Sequence, residues 1–151
     1  MLRKLKDKDV YLMLEWMHDP EVNKNFRFDF ASMTEEKALD FISNSFDEKN
    51  QHFAIVDFND NYLGTISLKN ISEIDKNAEY AIVTRKEVWG SGVAKKATAE
   101  ILHYAFNELN LHRIYLNVLD ENIRANKFYR KVGFSFEGTF KDHIVGGGGE
   151  I

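Results

Sequence analysis

The N-terminal third of the chain repeats hydrophobic positions with the period of an α-helix. The first apolar series consists of Val10, Leu12, Leu14 and Met17. Its spacing predicts a helix near 7–18, after a short strand in MLRKL and before the break at Pro20. Ser32 followed by Glu35 has the pattern of a capping box ahead of another apolar face, which predicts a second helix over about 34–48.

The middle of the chain changes to the pattern of β-strands. HFAIVDF and YLGTISL flank the turn residues 59–61, which predicts an antiparallel hairpin. AEYAIVT at 78–84 is rich in β-branched residues and predicts a third strand. Helical periodicity then returns after a glycine-containing loop and runs to about Asn110.

The last part of the chain predicts one more strand, helix and strand. RIYLNVL at 113–119 has the strand pattern, and Asn122 is expected to cap a short helix through Val132 with Gly133 at its end. FSFEGTF alternates as a last strand. The order of elements predicts an α+β fold in which a central mixed, mostly antiparallel sheet is flanked by about four helices.

Composition narrows the classes of function. A chain of 151 residues that is 44% hydrophobic can bury one sizeable core, so we expect a single domain over 1–151. Twenty basic against 24 acidic residues, with no dense basic run, argue against a nucleic-acid partner. No apolar run is long enough for a membrane span and MLRKLKDKDV is too charged for a signal peptide, so a cytoplasmic protein is expected. The absence of cysteine and the scattered histidines predict no metal cofactor.

The stretch VWGSGVAKKATAE, residues 88–100, carries the first candidate chemistry. Gly90 and Gly92 stand between a predicted strand and a predicted helix, where the first amide groups have no acceptor within the helix. Glycine permits positive φ and a close approach of the backbone, and the helix dipole favours an anion such as a diphosphate. The same pattern occurs in plain turns that cap a helix, and it matches neither a P-loop nor the dinucleotide fingerprint.

Two segments in this order resemble the motifs of the GNAT superfamily of N-acetyltransferases. EYAIVTRKEVWGSGVAKKA resembles the acetyl-CoA signature, and NIRANKFYRKVGF resembles the Asn-x-x-Ala-x-x-Phe-Tyr-x-Lys-x-Gly-Phe segment. Trp89 and MLEWMHDPEV are similar to the branch with ribosomal-protein-alanine N-acetyltransferases and bacterial amino-sugar acetyltransferases. The resemblance implies a monomer or homodimer that moves an acetyl group from acetyl-CoA to a protein N-terminus, an amino sugar or another small amine. A non-catalytic acyl-CoA-binding or interaction module on the same fold is the alternative.

The resemblance also implies which residues hold the coenzyme. The strand backbone at Ile82, Val83 and Thr84 would pair with the pantetheine arm, leaving one amide to polarise the thioester carbonyl. Asn122 would bind the same arm or act only as a helix cap, and Asn126 would assist it. The pyrophosphate would be cradled by Gly90, Ser91, Gly92, Val93, Ala94 and Lys95.

Direct attack by an amine needs a base for the amine proton and an acid for the departing thiolate. Glu79 would be the base, with a solvent-facing charge as its alternative role and Glu73 or Asp75 as alternative bases. Tyr129 would protonate the thiolate, or else only pack its ring. The phenylalanines of residues 25–30 would either wall an acceptor pocket or pack in the core.

The chain ends in HIVGGGGEI, where this branch usually has a further strand. Four consecutive glycines are unsuited to a strand interior. We therefore expect the C-terminal strand to be truncated or disordered from about residue 144.

Overall fold

One mixed sheet organises the chain in the computed structural model, which describes residues 1–24, 26, 28–117, 127, 128, 130 and 143–145. The strands lie in chain order and are β1 (Leu2–Lys4), β2 (Gln51–Val56), β3 (Tyr62–Ser72), β4 (Asn77–Thr84), β5 (Arg113–Asn117) and β6 (His143–Val145). All neighbouring pairs are antiparallel except β4 and β5, which are parallel. The predicted α+β class with a mixed, mostly antiparallel sheet is confirmed.

Four α-helices accompany the sheet in the described part of the chain. They are α1 (Val10–Met17), α2 (Pro20–Asn23), α3 (Glu35–Ser43) and α4 (Val93–His103). A 3₁₀ turn at Asp7–Asp9 precedes α1, so the helix predicted near 7–18 is confirmed, and a π-helical turn at Tyr104–Glu108 extends α4 toward the predicted end near residue 110. None of these helices is long and apolar enough to cross a bilayer.

The predicted capping box at the start of α3 is wrong. Ser32 belongs to a 3₁₀ turn, Phe30–Ser32, and its hydroxyl donates to the carboxylate of Asp29 at 2.6 Å. Thr34 has the extended backbone of an N-cap, and its Oγ1 accepts the amide of Lys37 at 3.2 Å. The helix ends at Ser43 rather than near residue 48.

The predicted hairpin of β2 and β3 is confirmed, and its turn is held by a carboxylate. Asp57 Oδ1 accepts the amides of Asn59 at 2.9 Å and of Asn61 at 3.0 Å. The third predicted strand is β4. FSFEGTF and most of the helix predicted from Asn122 lie outside the described residues. At the C-terminal end His143–Val145 pair with β5 directly before the glycine run.

The two faces of the sheet carry separate apolar clusters. On the α4 face, Ile66 and Leu68 of β3 and Tyr80 of β4 pack with Ile101 of α4. On the opposite face, which we call the α1/α3 face, Met13 and Trp16 of α1 and Ile42 of α3 pack over Ala54 of β2. Strand alternation produces this division, because consecutive side chains point to opposite sides of the sheet.

Candidate active site

The sheet opens between β4 and β5. These strands pair only over Asn77–Glu79 and Arg113–Tyr115. Farther along β4, Ile82, Val83 and Thr84 pair with β3 on one edge, and no described residue of β5 pairs with the other edge. An exposed strand edge of this kind can accept an extended ligand through main-chain hydrogen bonds.

The glycine loop follows the open end of β4. Gly90 and Gly92 have φ of +81° and +88°, a region that glycine adopts without steric penalty. Gly92 is the N-cap of α4, and a Cβ built on either glycine would meet no atom within 4 Å. Ser91 is held by its amide, which donates to the carbonyl of Val88 at 3.1 Å. The amide of Val93, the first of α4, donates to the hydroxyl oxygen of Ser91 at 3.4 Å, and the space beside the two glycines is open for the close approach of an anion.

The remaining residues of the predicted cradle lie in the first turn of α4. Val93 and Ala94 are half-buried and Lys95 is exposed. The hydroxyl of Thr98 donates to the carbonyl of Ala94 at 2.7 Å, and its oxygen lies 2.6 Å from the hydroxyl of Tyr80 on β4. Because the single proton of Thr98 is engaged, Tyr80 is the donor to it. This buried pair fixes the first turn of α4 against the middle of β4.

Ion pairs tie the residues after β4 to the N-terminal helices. The guanidinium of Arg85 donates to both carboxylate oxygens of Glu15 on α1, at 2.9 and 3.3 Å. The ammonium of Lys86 lies 3.7 Å from the carboxylate of Asp19 and 3.6 Å from that of Glu21. The glycine loop and the helices on the α1/α3 face are thus linked at this end of β4.

A cavity of about 320 Å³ lies on the α1/α3 face directly over β4. Its walls are formed by aromatic and methionine side chains from α1, α3 and the loop between α2 and α3. They are Met13, Trp16, Met17, Phe26, Phe28, Phe30, Met33 and Phe41. Its floor is formed by His52, Thr65, Ser67, Lys69, Ala81, Ile82 and Val83 of the three central strands. The volume is at the lower end of the range of about 300–1,000 Å³ found for small-molecule sites.

The phenylalanines between residues 25 and 30 have both of the roles that the sequence left open, as walls of a pocket and as packing. The ring of Phe30 packs edge-on against Trp16 at 4.9 Å and lies 5.6 Å from Phe26, and both phenylalanines also line the cavity. Phe28 is 60% exposed and lies 4.8 Å from Phe30. The segment therefore serves as a wall and as part of the packing on this face.

The floor of the cavity combines uncharged polar groups, one lysine and apolar residues of β4. Nδ1 of His52 and Oγ of Ser67 share a hydrogen bond at 2.6 Å, and the imidazole packs on Phe41 at 4.7 Å. Burial, aided by the charge of Lys69, lowers the pKa of His52 to about 4, so this imidazole is neutral at neutral pH. Sequence reasoning overlooked these residues, although the alternation of HFAIVDF and YLGTISLK places them on one face of the hairpin.

Glu79 lies beside this floor, one same-face step from Ala81 along β4. Its side chain is only 16% exposed, and its carboxylate lies 3.5 Å from the ammonium of Lys69. The side-chain amide of Asn70 donates to the other carboxylate oxygen at 3.2 Å. Burial first, and the charge of Glu79 second, raise the pKa of Tyr115 on β5. The carboxylate is thus a half-buried, paired group rather than a solvent-facing charge.

The alternative bases lie away from the cavity, and the candidate residues of the second motif lie outside the described part of the chain. Glu73 and Asp75 are exposed in the turn between β3 and β4 and do not line the cavity. Asn122, Asn126 and Tyr129 lie outside the described residues. Phe128 packs against the apolar cluster of the α4 face. Among the described side chains, no three of His, Asp and Glu come together as metal ligands.

Comparison with known proteins identifies the family. Residues 1–135 match the acetyltransferase (GNAT) domain. Spermidine N(1)-acetyltransferase of Vibrio cholerae is 32% identical over 137 residues, 87% of this chain and 76% of that protein. The putative ribosomal N-acetyltransferase YdaF of Bacillus subtilis is 31% identical over 54% of this chain and 44% of its own length. A crystal structure of the Vibrio cholerae spermidine enzyme in complex with CoA and spermine has a TM-score of 0.81 and 26% identity, covering 96% of this chain and 90% of that chain. The chain therefore belongs to the GNAT acetyltransferase family, and the N-acetyltransferase class predicted from its two motifs is confirmed.

Proposed function

We propose that this protein transfers the acetyl group of acetyl-CoA directly to a primary amine. The observation that carries this proposal is the position of the open edge of β4. The glycine loop lies at one end of this edge, and the cavity lies over its α1/α3 face. A thioester bound along the edge and an amine bound in the cavity would meet at the same backbone segment, which removes most of the entropic cost of bringing them together.

The donor would lie along the edge of β4. The pantetheine arm would pair with Ile82, Val83 and Thr84, and one free amide would polarise the thioester carbonyl. The pyrophosphate would bind the amides of the loop and first turn, residues 90–95, with Asn122 and Asn126 on the pantetheine arm. The similarity to a solved relative that holds CoA supports this placement.

The reaction needs two proton transfers and no covalent enzyme intermediate. A neutral amine attacks the thioester carbon, the new C–N bond forms and the C–S bond breaks. We propose that Glu79 takes the amine proton, directly or through water, and that Tyr129 gives a proton to the departing thiolate. The short distance of Glu79 from the cavity floor along β4 supports the first of these roles.

Several classes of amine are candidates for the acceptor. The Vibrio cholerae relative is named a spermidine N(1)-acetyltransferase and YdaF a putative ribosomal N-acetyltransferase, and the motif resemblance adds protein N-termini and amino sugars. One structure of the Vibrio cholerae enzyme is described as dodecameric. For this chain we predict a cytoplasmic monomer or homodimer. Sedimentation velocity tests the predicted oligomeric state.

Thiol release from acetyl-CoA tests the proposed function. We expect release that depends on an added primary amine, and Tyr129→Phe should lower turnover about 10²-fold with unchanged acetyl-CoA affinity. Thiol release that no amine accelerates, together with intact acetyl-CoA binding by calorimetry, would instead identify a non-catalytic acyl-CoA-binding module.

A paired substitution tests the donor site separately. Gly92→Val should abolish acetyl-CoA binding, because it fills open space beside the first amides of α4 and disfavours φ of +88°. Ala99→Val adds the same side chain at an exposed position of the same helix and should leave binding intact. Equal affinities of the two variants would contradict the cradle.

A further inference from the structure

We infer that the acceptor is a primary monoamine with an uncharged, largely apolar body, and that the cavity discriminates against polyamines. This inference rests on the proposed function, since it names the substrate class of the same site. It differs from what the names of the spermidine relatives would lead one to expect. The carrying observation is the charge of the cavity: Lys69 is the one residue of its described lining with a formal charge at neutral pH, and no described lining residue is acidic.

The described lining of the cavity offers a polycation no unpaired negative charge, because the neighbouring carboxylate of Glu79 is already paired with Lys69. When one amine of spermidine is neutral and ready to attack, its other amines remain charged and must enter beside the ammonium of Lys69. Because Lys69 and Glu79 neutralise each other, these charged amines gain no net attraction there, and each buried ammonium loses hydration that the described lining does not replace.

The nearest carboxylate does not reverse this preference. Glu79 is 3.5 Å from the ammonium of Lys69 and accepts the amide of Asn70 at 3.2 Å. Its charge is already matched inside the protein, so a substrate ammonium would have to displace Lys69 to use it. His52 adds no negative charge, and its imidazole is a hydrogen-bond partner of Ser67.

The walls favour an apolar body. Trp16, Phe26 and Phe30 form a contiguous aromatic surface, with centroid separations of 4.9–6.1 Å. Methionine side chains from α1 complete it, and they adapt to ligands of irregular shape. A cation–π contact on these rings is worth about 0.5–2 kcal/mol, which is less than the several kcal/mol needed to bury an ammonium. The aromatic walls therefore do not compensate for two additional charges.

A length-matched pair of amines isolates the effect of charge. Spermidine and nonylamine have the same number of chain atoms, but only spermidine has charged groups in its body. We expect kcat/KM for nonylamine, and for 3-phenylpropylamine, to be at least about tenfold higher than for spermidine. Lys69→Met should raise the spermidine-to-nonylamine ratio of kcat/KM by about tenfold, whatever it does to the absolute rates. Lys37→Met, which removes an exposed lysine of α3 that does not line the cavity, should leave that ratio unchanged.

Binding distinguishes failure of this inference from failure of the proposed function. Calorimetry with CoA-saturated protein should give tighter binding of nonylamine than of spermidine. If this order holds while no amine is acetylated, the substrate-class inference stands as a binding preference and the transferase proposal falls. If spermidine is acetylated faster and binds tighter than nonylamine, the inference is overturned and the transferase proposal stands. An unchanged ratio in Lys69→Met would overturn the assignment of selectivity to that lysine.

Discussion

A single methyl group added at Gly64 should displace the neighbouring strand β4 and so disturb the proposed donor site. Gly64 of β3 is paired with Thr84 at the open end of β4. A Cβ built on Gly64 would lie 2.4 Å from the carbonyl oxygen of Val83 and 2.9 Å from the Cα of Thr84. Both partners are backbone atoms, so no side-chain rotation can relieve the contact.

The size of the effect follows from these distances. Carbon and carbonyl oxygen in neighbouring strands normally approach to about 3.3–3.6 Å, so β4 must move by roughly 1 Å. Overpacking of this kind costs about 1–3 kcal/mol, of which the better strand propensity of alanine returns about 0.5–1 kcal/mol. We expect Gly64→Ala to lower the free energy of unfolding by about 1–2 kcal/mol. Because Val83 and Thr84 are proposed to align the thioester, a shift of this size should lower kcat/KM for acetyl-CoA by about 10²-fold.

Urea unfolding and thiol release measure the two effects on the same preparations. The double variant Gly64→Ala/Thr84→Ala is the control, because it removes the side-chain atom among the three atoms nearest to the new methyl, Thr84 Cγ2 at 3.2 Å. The double variant should recover neither stability nor kcat/KM. Recovery, or a single variant within about twofold of wild-type kcat/KM, would refute the argument that backbone contact positions β4.

Three further predictions concern buried polar groups. Thr98→Val should lower the free energy of unfolding by about 1–3 kcal/mol in urea, since it removes the buried hydrogen bonds of the Thr98 hydroxyl to Tyr80 and to the carbonyl of Ala94, whereas Thr98→Ser should lower it less. Glu79→Gln should reduce turnover most at neutral pH and less at high pH, where more amine is already neutral, and a pH-independent loss would assign Glu79 to binding or structure. The pKa of His52 is about 4 in the folded protein, against an ordinary value of 6.5. Between these two pH values the unfolded chain binds more protons than the folded protein. The free energy of unfolding should therefore rise by about 3 kcal/mol as the pH increases across this window. His52→Asn should flatten that dependence in urea titrations at pH 4–7, and an equally steep dependence in the variant would show that another group causes it.

Local patterns were sufficient for the elements that depend on local chemistry. Alternation predicted the hairpin, and the glycines before the apolar face of α4 predicted a loop whose positive φ angles were then found. The prediction that Ser32 caps α3 was wrong, because the packing of Phe30 on Trp16 accompanies a 3₁₀ turn through Ser32. Thr34 then caps the helix instead. The sequence pattern pointed only to Ser32, because the contact that makes Thr34 the cap joins residues far apart in the chain.

The candidate site depends on contacts between residues that are far apart in the sequence. The opening beside Ile82 arises because β5 stops pairing with β4 after Glu79, and parallel pairing joins residues far apart in the chain. The cavity brings His52, Ser67 and Lys69 under helices from the N-terminal third. His52 and Ser67 lie within the predicted hairpin strands and Lys69 lies one residue beyond them, but the charge of the cavity became visible only when the register of three strands was known.

The separate apolar clusters on the two faces of the sheet have a consequence for how such proteins diverge. The α4 face holds the helix that presents the glycine loop, and the α1/α3 face holds the walls of the cavity. A mutation in the walls changes packing on one side of a shared sheet and leaves the opposite cluster intact. Under the proposed function, lineages would change acceptor through substitutions in α1, α3 and the loop before α3 while inheriting the proposed donor site unaltered. An evolving population can thus explore new amines without first losing its acetyl source.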